Sequence, residues 1–135
     1  MTHHLFVYGT LMSRQQNHPL LAGKAELIGP GRLPGRLVFA DYYPALVEAE
    51  DLAETVVGEV WRVLVPETFR ELDEFEGCME APPLFVRASR TVALDGAGPL
   101  DAWVYVYACP TAGLRPIPSG DWRAFVRGED LPCAT

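Results

Sequence analysis

The chain has 135 residues and a formal net charge of −7, and hydrophobic residues make up 49% of it. This length and this hydrophobic content suffice for one core without disulfide or metal staples, so we expect a single domain over residues 1–135. Eleven basic residues against eighteen acidic ones, with no basic run, argue against nucleic-acid binding and against attachment to an anionic membrane surface.

Short apolar runs bordered by glycine, proline or aspartate predict about six strands. In chain order these strands cover residues 5–8, 36–40, 45–47, 56–65, 84–94 and 100–108. Residues 95–99 contain the turn formers that predict a hairpin between the last two strands. The Gly29-Pro30-Gly31 segment is interpreted as a turn.

Two segments have the pattern of short helices. Residues 66–75 begin with a proline in the first turn and space Phe69, Leu72 and Phe75 three apart, which predicts one apolar stripe and an end near Gly77. Residues 119–126 resemble a capped helix, and residues 13–21 are predicted to contain a turn or two interrupted by Pro19. Strands and helices without regular βαβ alternation indicate an α+β fold.

The strand over residues 100–108 has rings at every second position, Trp103, Tyr105 and Tyr107. Such rings project from one face of a strand. That face is either an aromatic core wall or the lining of a ligand cavity, and the two interpretations are compatible in a small barrel.

The cysteines, the N-terminal segment and the histidines predict a cytoplasmic protein without a metal site. Cys78, Cys109 and Cys133 lack the paired spacing of zinc or redox motifs and are interpreted as free thiols. The segment after Met1 lacks the features of a signal peptide, which predicts a cytoplasmic location, and no apolar stretch approaches the ~20 residues that span a bilayer. The three histidines have no metal-ligand spacing, so no metal is expected. The sequence also has no dinucleotide fingerprint, and no other cofactor is expected.

One candidate site is the segment Tyr8-Gly9-Thr10-Leu11, where a buried strand runs into a glycine-containing turn. Successive backbone N–H groups in such a turn can converge on a carboxylate or an oxyanion. A second candidate is Glu76 within Asp73-Glu74-Phe75-Glu76-Gly77, three carboxylates at the end of the predicted helix. If Glu76 leans toward the interior while Glu74 faces water, burial raises the pKa of Glu76 and suits it to proton transfer near neutral pH.

The order and spacing of several motifs resemble the γ-glutamylcyclotransferase family, AIG2-like branch, over nearly the whole chain. The motifs are Val7-Tyr8-Gly9-Thr10-Leu11, Tyr43-Pro44-Ala45, Gly58-Glu59-Val60, Leu72-Asp73-Glu74-Phe75-Glu76-Gly77 and Trp103-Val104-Tyr105. The resemblance is greater to the γ-glutamylamine cyclotransferase branch than to the glutathione-specific one. It implies a small mixed β-barrel with short helices packed outside, and a cavity at the Tyr-Gly-Thr-Leu turn.

The resemblance also implies an activity and site residues. The activity is the conversion of a γ-glutamyl amine or γ-glutamyl amino acid to 5-oxoproline and a free amine, with Glu76 as the catalytic general acid and base. Tyr8, Gly9, Thr10, Leu11 and Arg87 are then expected to bind substrate, the turn holding either the oxyanion or the α-carboxylate. The family often has Tyr-x-Arg where this chain has Phe85-Val86-Arg87, so a phenol is replaced.

Two other functions compete with this one. The same barrel could be a non-catalytic module that binds a small ligand, although the acidic motif argues for an enzyme. Hydrolysis through a Cys78 and His18 pair is the third interpretation, for which the sequence offers no third orienting group.

Overall fold

The computed structural model describes residues 3–40, 42–48 and 54–128. These residues form eight strands, two short α-helices and one turn of 3-10 helix at His18–Leu20. The strands are β1 His4–Val7, β2 Ala25–Pro34, β3 Arg36–Ala40, β4 Tyr43–Val47, β5 Thr55–Val63, β6 Phe85–Leu94, β7 Gly98–Tyr107 and β8 Arg115–Pro116. The α-helices are α1 Glu67–Phe75 and α2 Trp122–Val126.

Five of the strands close into a barrel. They follow the order β1-β5-β2-β6-β7, and β7 returns to pair with β1. The β1–β7 pair is parallel, with Leu5 opposite Trp103, whereas the other neighbours around the barrel are antiparallel. The result is the α+β fold with a small mixed barrel that the sequence and its resemblance predict.

The sheet forks at β7. Near Leu5 this strand pairs with β1, and three residues further along β7 it pairs in parallel with β4, Leu46 opposite Val106. Strands β3 and β8 continue the sheet beyond β4. Because β1 ends at Val7 and β4 lies on the far side of the fork, an opening remains beside the carboxyl end of β1.

Most of the predicted strands are confirmed, with bounds shifted by a few residues at most. The prediction for residues 36–40 coincides with β3, and the hairpin of β6 and β7 is present. Its loop is shorter than predicted, because Leu94 already pairs with Gly98 and only residues 95–97 turn.

The interpretation of Gly29-Pro30-Gly31 as a turn is wrong, and with it a strand of ten residues was missed. These residues lie inside β2, which pairs with β5 from Ala25 to Pro34 with a register shift between Leu27 and Gly29. A bulge of this kind accommodates glycine, and proline is tolerated where a strand has no ladder donor to supply. The two-residue strand β8 was also missed.

The helices are confirmed with two corrections. Pro19 lies inside the 3-10 turn rather than interrupting helical structure, since proline fits the first positions of a helix. Helix α2 begins at Trp122, later than predicted, because Asp121 caps it by accepting hydrogen bonds from the backbone N–H groups of Arg123 (3.0 Å) and Ala124 (3.4 Å).

The ring-bearing face of β7 is packed against the core, and one of its rings, Tyr105, also lines a cavity. Tyr105 is buried, whereas Trp103 and Tyr107 are half-buried; the completely buried residues Ala102 and Val104 alternate with them on the other face. The face of β7 opposite the rings is therefore the more deeply buried of the two. Within the described ranges, no helix has the length and apolar character required to cross a membrane.

Candidate active site

A cavity of about 250 Å³ opens at the carboxyl end of β1, beside the fork in the sheet. Its walls combine a backbone turn, two amides, one carboxylate and several aromatic rings. The turn is formed by Tyr8, Gly9, Thr10 and Leu11, the amides are Gln16 and Asn17, the carboxylate is Glu76, and the rings belong to Phe6, Tyr42, Tyr43, Phe75, Phe85 and Tyr105. The structure thus brings Glu76 and the Tyr8–Leu11 turn to the same cavity, although about 65 residues separate them in the sequence.

The turn presents backbone donors to the cavity. Among the described residues, no acceptor pairs with the N–H groups of Gly9, Thr10 or Leu11, so these donors are available to a ligand. The close approach of Pro44 explains the glycine at position 9, because a Cβ there would lie 2.4 Å from the Pro44 Cγ.

The loop that follows is fixed by its own hydrogen bonds. Asn17 donates to Thr10 twice, from its backbone N–H to the carbonyl oxygen (2.8 Å) and from its side-chain amide to the hydroxyl (2.9 Å). The Nδ1 atom of His18 lies 2.9 Å from the Leu11 carbonyl oxygen. The donor turn is therefore held in place before any ligand arrives, as electrostatic stabilisation of a reacting group requires.

A buried carboxylate, Glu59, holds the same loop in place through hydrogen bonds to Ser13. It accepts hydrogen bonds from the Ser13 N–H (2.8 Å) and hydroxyl (2.6 Å), from Trp61 Nε1 (3.1 Å) and from Arg123 Nη2 (2.9 Å). Arg123 also donates to the Ser13 carbonyl oxygen at 2.8 Å. Burial alone raises the pKa of Glu59, but these donors outweigh burial and the pKa is lowered.

In the sequence, Glu59 stands out only as part of the Gly58-Glu59-Val60 motif, and the pattern predicts no role for it. We call Ser13, Glu59, Trp61 and Arg123 the Glu59 cluster. Because Arg123 belongs to helix α2, this cluster joins the cavity loop to the C-terminal helix. A glutamate within an otherwise apolar strand is the signal that indicates such a polar anchor.

The Tyr8 ring lines the cavity, but its hydroxyl is engaged in the fold. It donates to the Tyr105 carbonyl oxygen at 2.7 Å and accepts from the Leu46 N–H at 3.1 Å. These two bonds bridge β7 and β4 where the sheet forks. Burial, and after it the charge of Glu76, raises the pKa of Tyr8, which keeps the phenol protonated.

Glu76 lies at the cavity because it directly follows the last residue of helix α1. Its N–H donates to the Leu72 carbonyl oxygen at 2.8 Å, and Gly77 follows with φ +72°, a conformation that glycine adopts without strain. The chain turns away there, so the Glu76 side chain faces the cavity while Glu74 remains exposed. Phe75, predicted as part of the buried stripe, is instead 46% exposed at the cavity mouth.

The environment of Glu76 changes its titration. Burial among the cavity walls raises its pKa from 4.5 to about 7. Since a carboxyl with such a pKa exchanges its proton readily at neutral pH, Glu76 is suited to act as a base and then as an acid.

Arg87 is not brought to the cavity. Its guanidinium donates to both carboxylate oxygens of Asp73, at 2.8 and 3.2 Å, and lies between the rings of Phe69 and Trp103 at 4.8 and 4.6 Å from their centroids. Tyr105 also donates to Asp73, so the carboxylate is shared. The predicted contact between Arg87 and substrate therefore has no support in this geometry.

A nucleophilic cysteine is not favoured by the structure. Cys78 and Cys109 are free, whereas Cys133 lies outside the described residues. Burial and the nearby carboxylates of Asp73 and Glu76 raise the pKa of Cys78 to about 11, which keeps its thiol protonated. The described ranges contain no cluster of three or more side chains able to hold a metal ion.

Comparison with known proteins points to one family. The family model described as "Gamma-glutamyl cyclotransferase, AIG2-like" matches residues 5–124. The chain is 36% identical over 115 residues to a bovine protein named gamma-glutamylaminecyclotransferase, with 77% of this chain and 65% of that one aligned. It is 33% identical over 125 residues to the gamma-glutamylcyclotransferase family protein YtfP of Escherichia coli, aligning 87% of this chain and 94% of that one.

Solved structures show the same fold. The crystal structure of a mouse AIG2-like protein superposes with a TM-score of 0.67 at 29% identity, covering 78% of this chain and 76% of that one. The chain thus spans slightly less than two thirds of the bovine relative but nearly the whole of the bacterial one.

Proposed function

The chain belongs to the AIG2-like gamma-glutamyl cyclotransferase family, and from this premise we propose that it converts a γ-glutamyl amine or γ-glutamyl amino acid to 5-oxoproline and a free amine. One observation carries the proposal: a half-buried carboxylate with a raised pKa, Glu76, lines the same cavity as the free backbone donors at Gly9, Thr10 and Leu11. That pair of features matches the two needs of the reaction, proton transfer and stabilisation of an oxyanion.

The reaction is an intramolecular displacement. Glu76 takes a proton from the substrate α-ammonium, the freed amine attacks the γ-carbonyl carbon, and a tetrahedral oxyanion forms. The bond from that carbon to the departing nitrogen then breaks as protonated Glu76 gives its proton to that nitrogen, so the amine leaves in its neutral form. The ring nitrogen still carries an extra proton after its attack, and it gives this proton to the Glu76 carboxylate, which leaves 5-oxoproline as the neutral lactam. The proton then passes from Glu76 to the released amine, and the carboxylate is regenerated. Because nucleophile and electrophile belong to one molecule, the cavity needs only to hold the folded conformer.

The raised pKa of Glu76 makes the first step feasible. An α-ammonium with a pKa of about 8 opposes a glutamate of ordinary pKa by nearly 4 units, roughly 5 kcal/mol. With the pKa of Glu76 at about 7, the difference shrinks to about one unit, or roughly 1.4 kcal/mol. The same pKa leaves the protonated carboxyl a competent acid for the second transfer.

The backbone donors supply the second requirement. Three N–H groups on one turn can hold both the substrate α-carboxylate and the oxyanion, and the loss of one oxyanion donor typically costs about 3 kcal/mol of barrier. The Tyr8 hydroxyl is not assigned to this task, because both of its hydrogen bonds are made within the fold.

The test is the release of 5-oxoproline by Glu76→Gln, with Glu74→Gln as the matched control. Both substitutions remove one charge at the end of helix α1, but Glu74 is exposed and lies outside the cavity lining. We expect 5-oxoproline release, followed by mass spectrometry with γ-glutamyl amides, to be lost in Glu76→Gln and kept in Glu74→Gln. A folded Glu76→Gln protein with wild-type turnover refutes the assignment, and binding of γ-glutamyl amides without release by the wild type favours a non-catalytic module.

A further inference from the structure

We infer that Arg123 is a positioning residue: together with Glu59 it holds residues 12–17 of the cavity loop in a backbone conformation that the sequence of the loop disfavours. The inference rests on the proposed function and concerns how the donor turn of that site is kept in place. The disfavoured residue is Arg14, whose φ of +65° is the only positive φ of a non-glycine residue within the described ranges.

The first observation is the left-handed conformation of Arg14. The N–H of Gln15 donates to the Met12 carbonyl oxygen at 3.0 Å, so residues 12–15 form a turn with Arg14 at its third position. A positive φ at that position is typical of glycine or asparagine, because a Cβ crowds the following carbonyl oxygen. The Arg14 side chain is exposed, so its packing does not offset this strain. The conformation must therefore be imposed by neighbouring groups.

Arg123 fixes the peptide group on one side of Arg14. Its Nη2 atom donates to the Ser13 carbonyl oxygen at 2.8 Å, and this oxygen belongs to the peptide that joins Ser13 to Arg14. The peptide on the other side is fixed by the hydrogen bond from Gln15 to Met12. Because a residue's φ and ψ are set by the orientations of its two flanking peptides, the two hydrogen bonds together enforce the left-handed conformation.

Glu59 fixes Arg123 and Ser13 at the same time. Its Oε2 atom accepts from Arg123 Nη2 at 2.9 Å and from the Ser13 hydroxyl at 2.6 Å, and its Oε1 atom accepts from the Ser13 N–H at 2.8 Å. Hydrogen bonds to an ionised group are stronger than those between neutral groups. These bonds to a buried carboxylate thus offset the strain at Arg14.

The segment held in this way forms part of the cavity wall. Gln16 and Asn17 line the cavity, and Asn17 donates to Thr10 from its backbone at 2.8 Å and from its side chain at 2.9 Å. If Arg14 relaxes to a negative φ, the chain leaves residues 12–15 in another direction and both bonds to Thr10 are lost. The donor turn then loses its alignment, so substrate binds more weakly.

The test is the rescue of Arg123→Gln by Arg14→Gly. Arg123→Gln alone removes the donor to Ser13, and we expect it to raise KM about tenfold while kcat changes less than about threefold. Adding Arg14→Gly should return KM to within about threefold of the wild-type value, because glycine adopts a positive φ without strain.

The matched control is Arg123→Gln combined with Arg14→Ala. Alanine also removes the guanidinium at position 14 but keeps the Cβ that disfavours a positive φ, so KM should stay about tenfold raised. Equal KM values in the two double variants overturn the inference, whether both are rescued or neither is.

Hydrogen exchange tests the inference without a substrate. The Asn17 N–H, bonded to Thr10, should exchange about tenfold faster in Arg123→Gln than in the wild type, and adding Arg14→Gly, but not Arg14→Ala, should slow it again. Amides of the β6–β7 hairpin are the reference and should keep their rates. Unchanged exchange at Asn17 in Arg123→Gln overturns the inference. Absence of 5-oxoproline release from the wild-type protein contradicts the proposed function instead, and the exchange rates then still decide the inference.

Discussion

The Tyr105 hydroxyl donates a hydrogen bond of 2.7 Å to the Asp73 Oδ1 atom, so a wall of the cavity is tied to helix α1 three residues before Glu76. Arg87 adds two hydrogen bonds to the same carboxylate from β6. One side chain of α1 thus fixes the helix that carries Glu76 to two strands of the barrel. Burial, and after it the Asp73 carboxylate, raises the pKa of Tyr105, which keeps its hydroxyl a donor.

Asp73→Asn removes the charge that Arg87 and Tyr105 share. Because the guanidinium is mostly covered and loses its counter-ion, we expect the free energy of unfolding in urea to fall by about 2 kcal/mol. Glu71→Gln, which removes the exposed partner of Lys24 from the same helix, should cost less than about 1 kcal/mol. Equal losses in the two variants would contradict the anchoring role of Asp73.

The pH dependence of kcat/KM reports the titration of Glu76. The carboxyl must be ionised to accept the substrate proton, so the rate should rise about tenfold per pH unit and level off near pH 7. The measurement is a pH profile of 5-oxoproline release at substrate concentrations below KM. Glu74→Gln should leave the midpoint in place, and a midpoint near 4.5 would show that Glu76 is not the group in control.

The same carboxyl should destabilise the native protein at neutral pH. Glu76 in the native state binds its proton up to about pH 7, whereas the unfolded chain loses it near 4.5, so stability falls as pH rises through this window. We therefore expect Glu76→Gln to raise the free energy of unfolding by about 3 kcal/mol above pH 7 and to change it little below pH 4. Urea titrations of both proteins across this range test the expectation, which fails if the difference does not vary with pH.

Gly9→Ala tests the close contact beneath the donor turn. The new Cβ would lie 2.4 Å from the Pro44 Cγ, so turn and strand β4 must separate and the N–H groups lose their alignment. We expect KM to rise about tenfold, roughly 1.4 kcal/mol of lost binding. Adding Pro44→Ala removes the clashing ring and should recover most of the loss; no recovery in the double variant would mean that the contact is not the cause.

Arg123→Gln breaks the Glu59 cluster at its helix α2 end. Since Ser13 loses a donor that holds the cavity loop, we expect KM to rise about tenfold while kcat changes less than about threefold. Arg62→Gln removes a more exposed ion pair with Glu26 on the barrel surface and should leave both constants unchanged. Steady-state kinetics that show a fall in kcat alone for Arg123→Gln would exclude a role in substrate binding.

Local patterns in the sequence predicted much of the fold and part of the candidate site. Strand β3 and the end of helix α1 follow from apolar runs and a terminal glycine, which act over a few residues. Strand β2 was missed because Gly29-Pro30-Gly31 is a turn signal on its own, and it is pairing with β5 and β6 that keeps this segment extended. The ion pair between Arg87 and Asp73 could not be predicted for a related reason. The two residues meet only because α1 packs against β6, and local sequence patterns do not show such packing.

The two hydrogen bonds of the Tyr8 hydroxyl reach residues 38 and 97 positions away in the chain. During synthesis on the ribosome, β1 and its donor turn emerge before β7. The barrel beside the cavity cannot close until β7 has left the exit tunnel and can pair with β1. Contacts of such long sequence separation slow folding, since the intervening chain must be ordered first. A polypeptide truncated before β7 would thus contain the acid and the donor turn and still lack a pocket in which they meet.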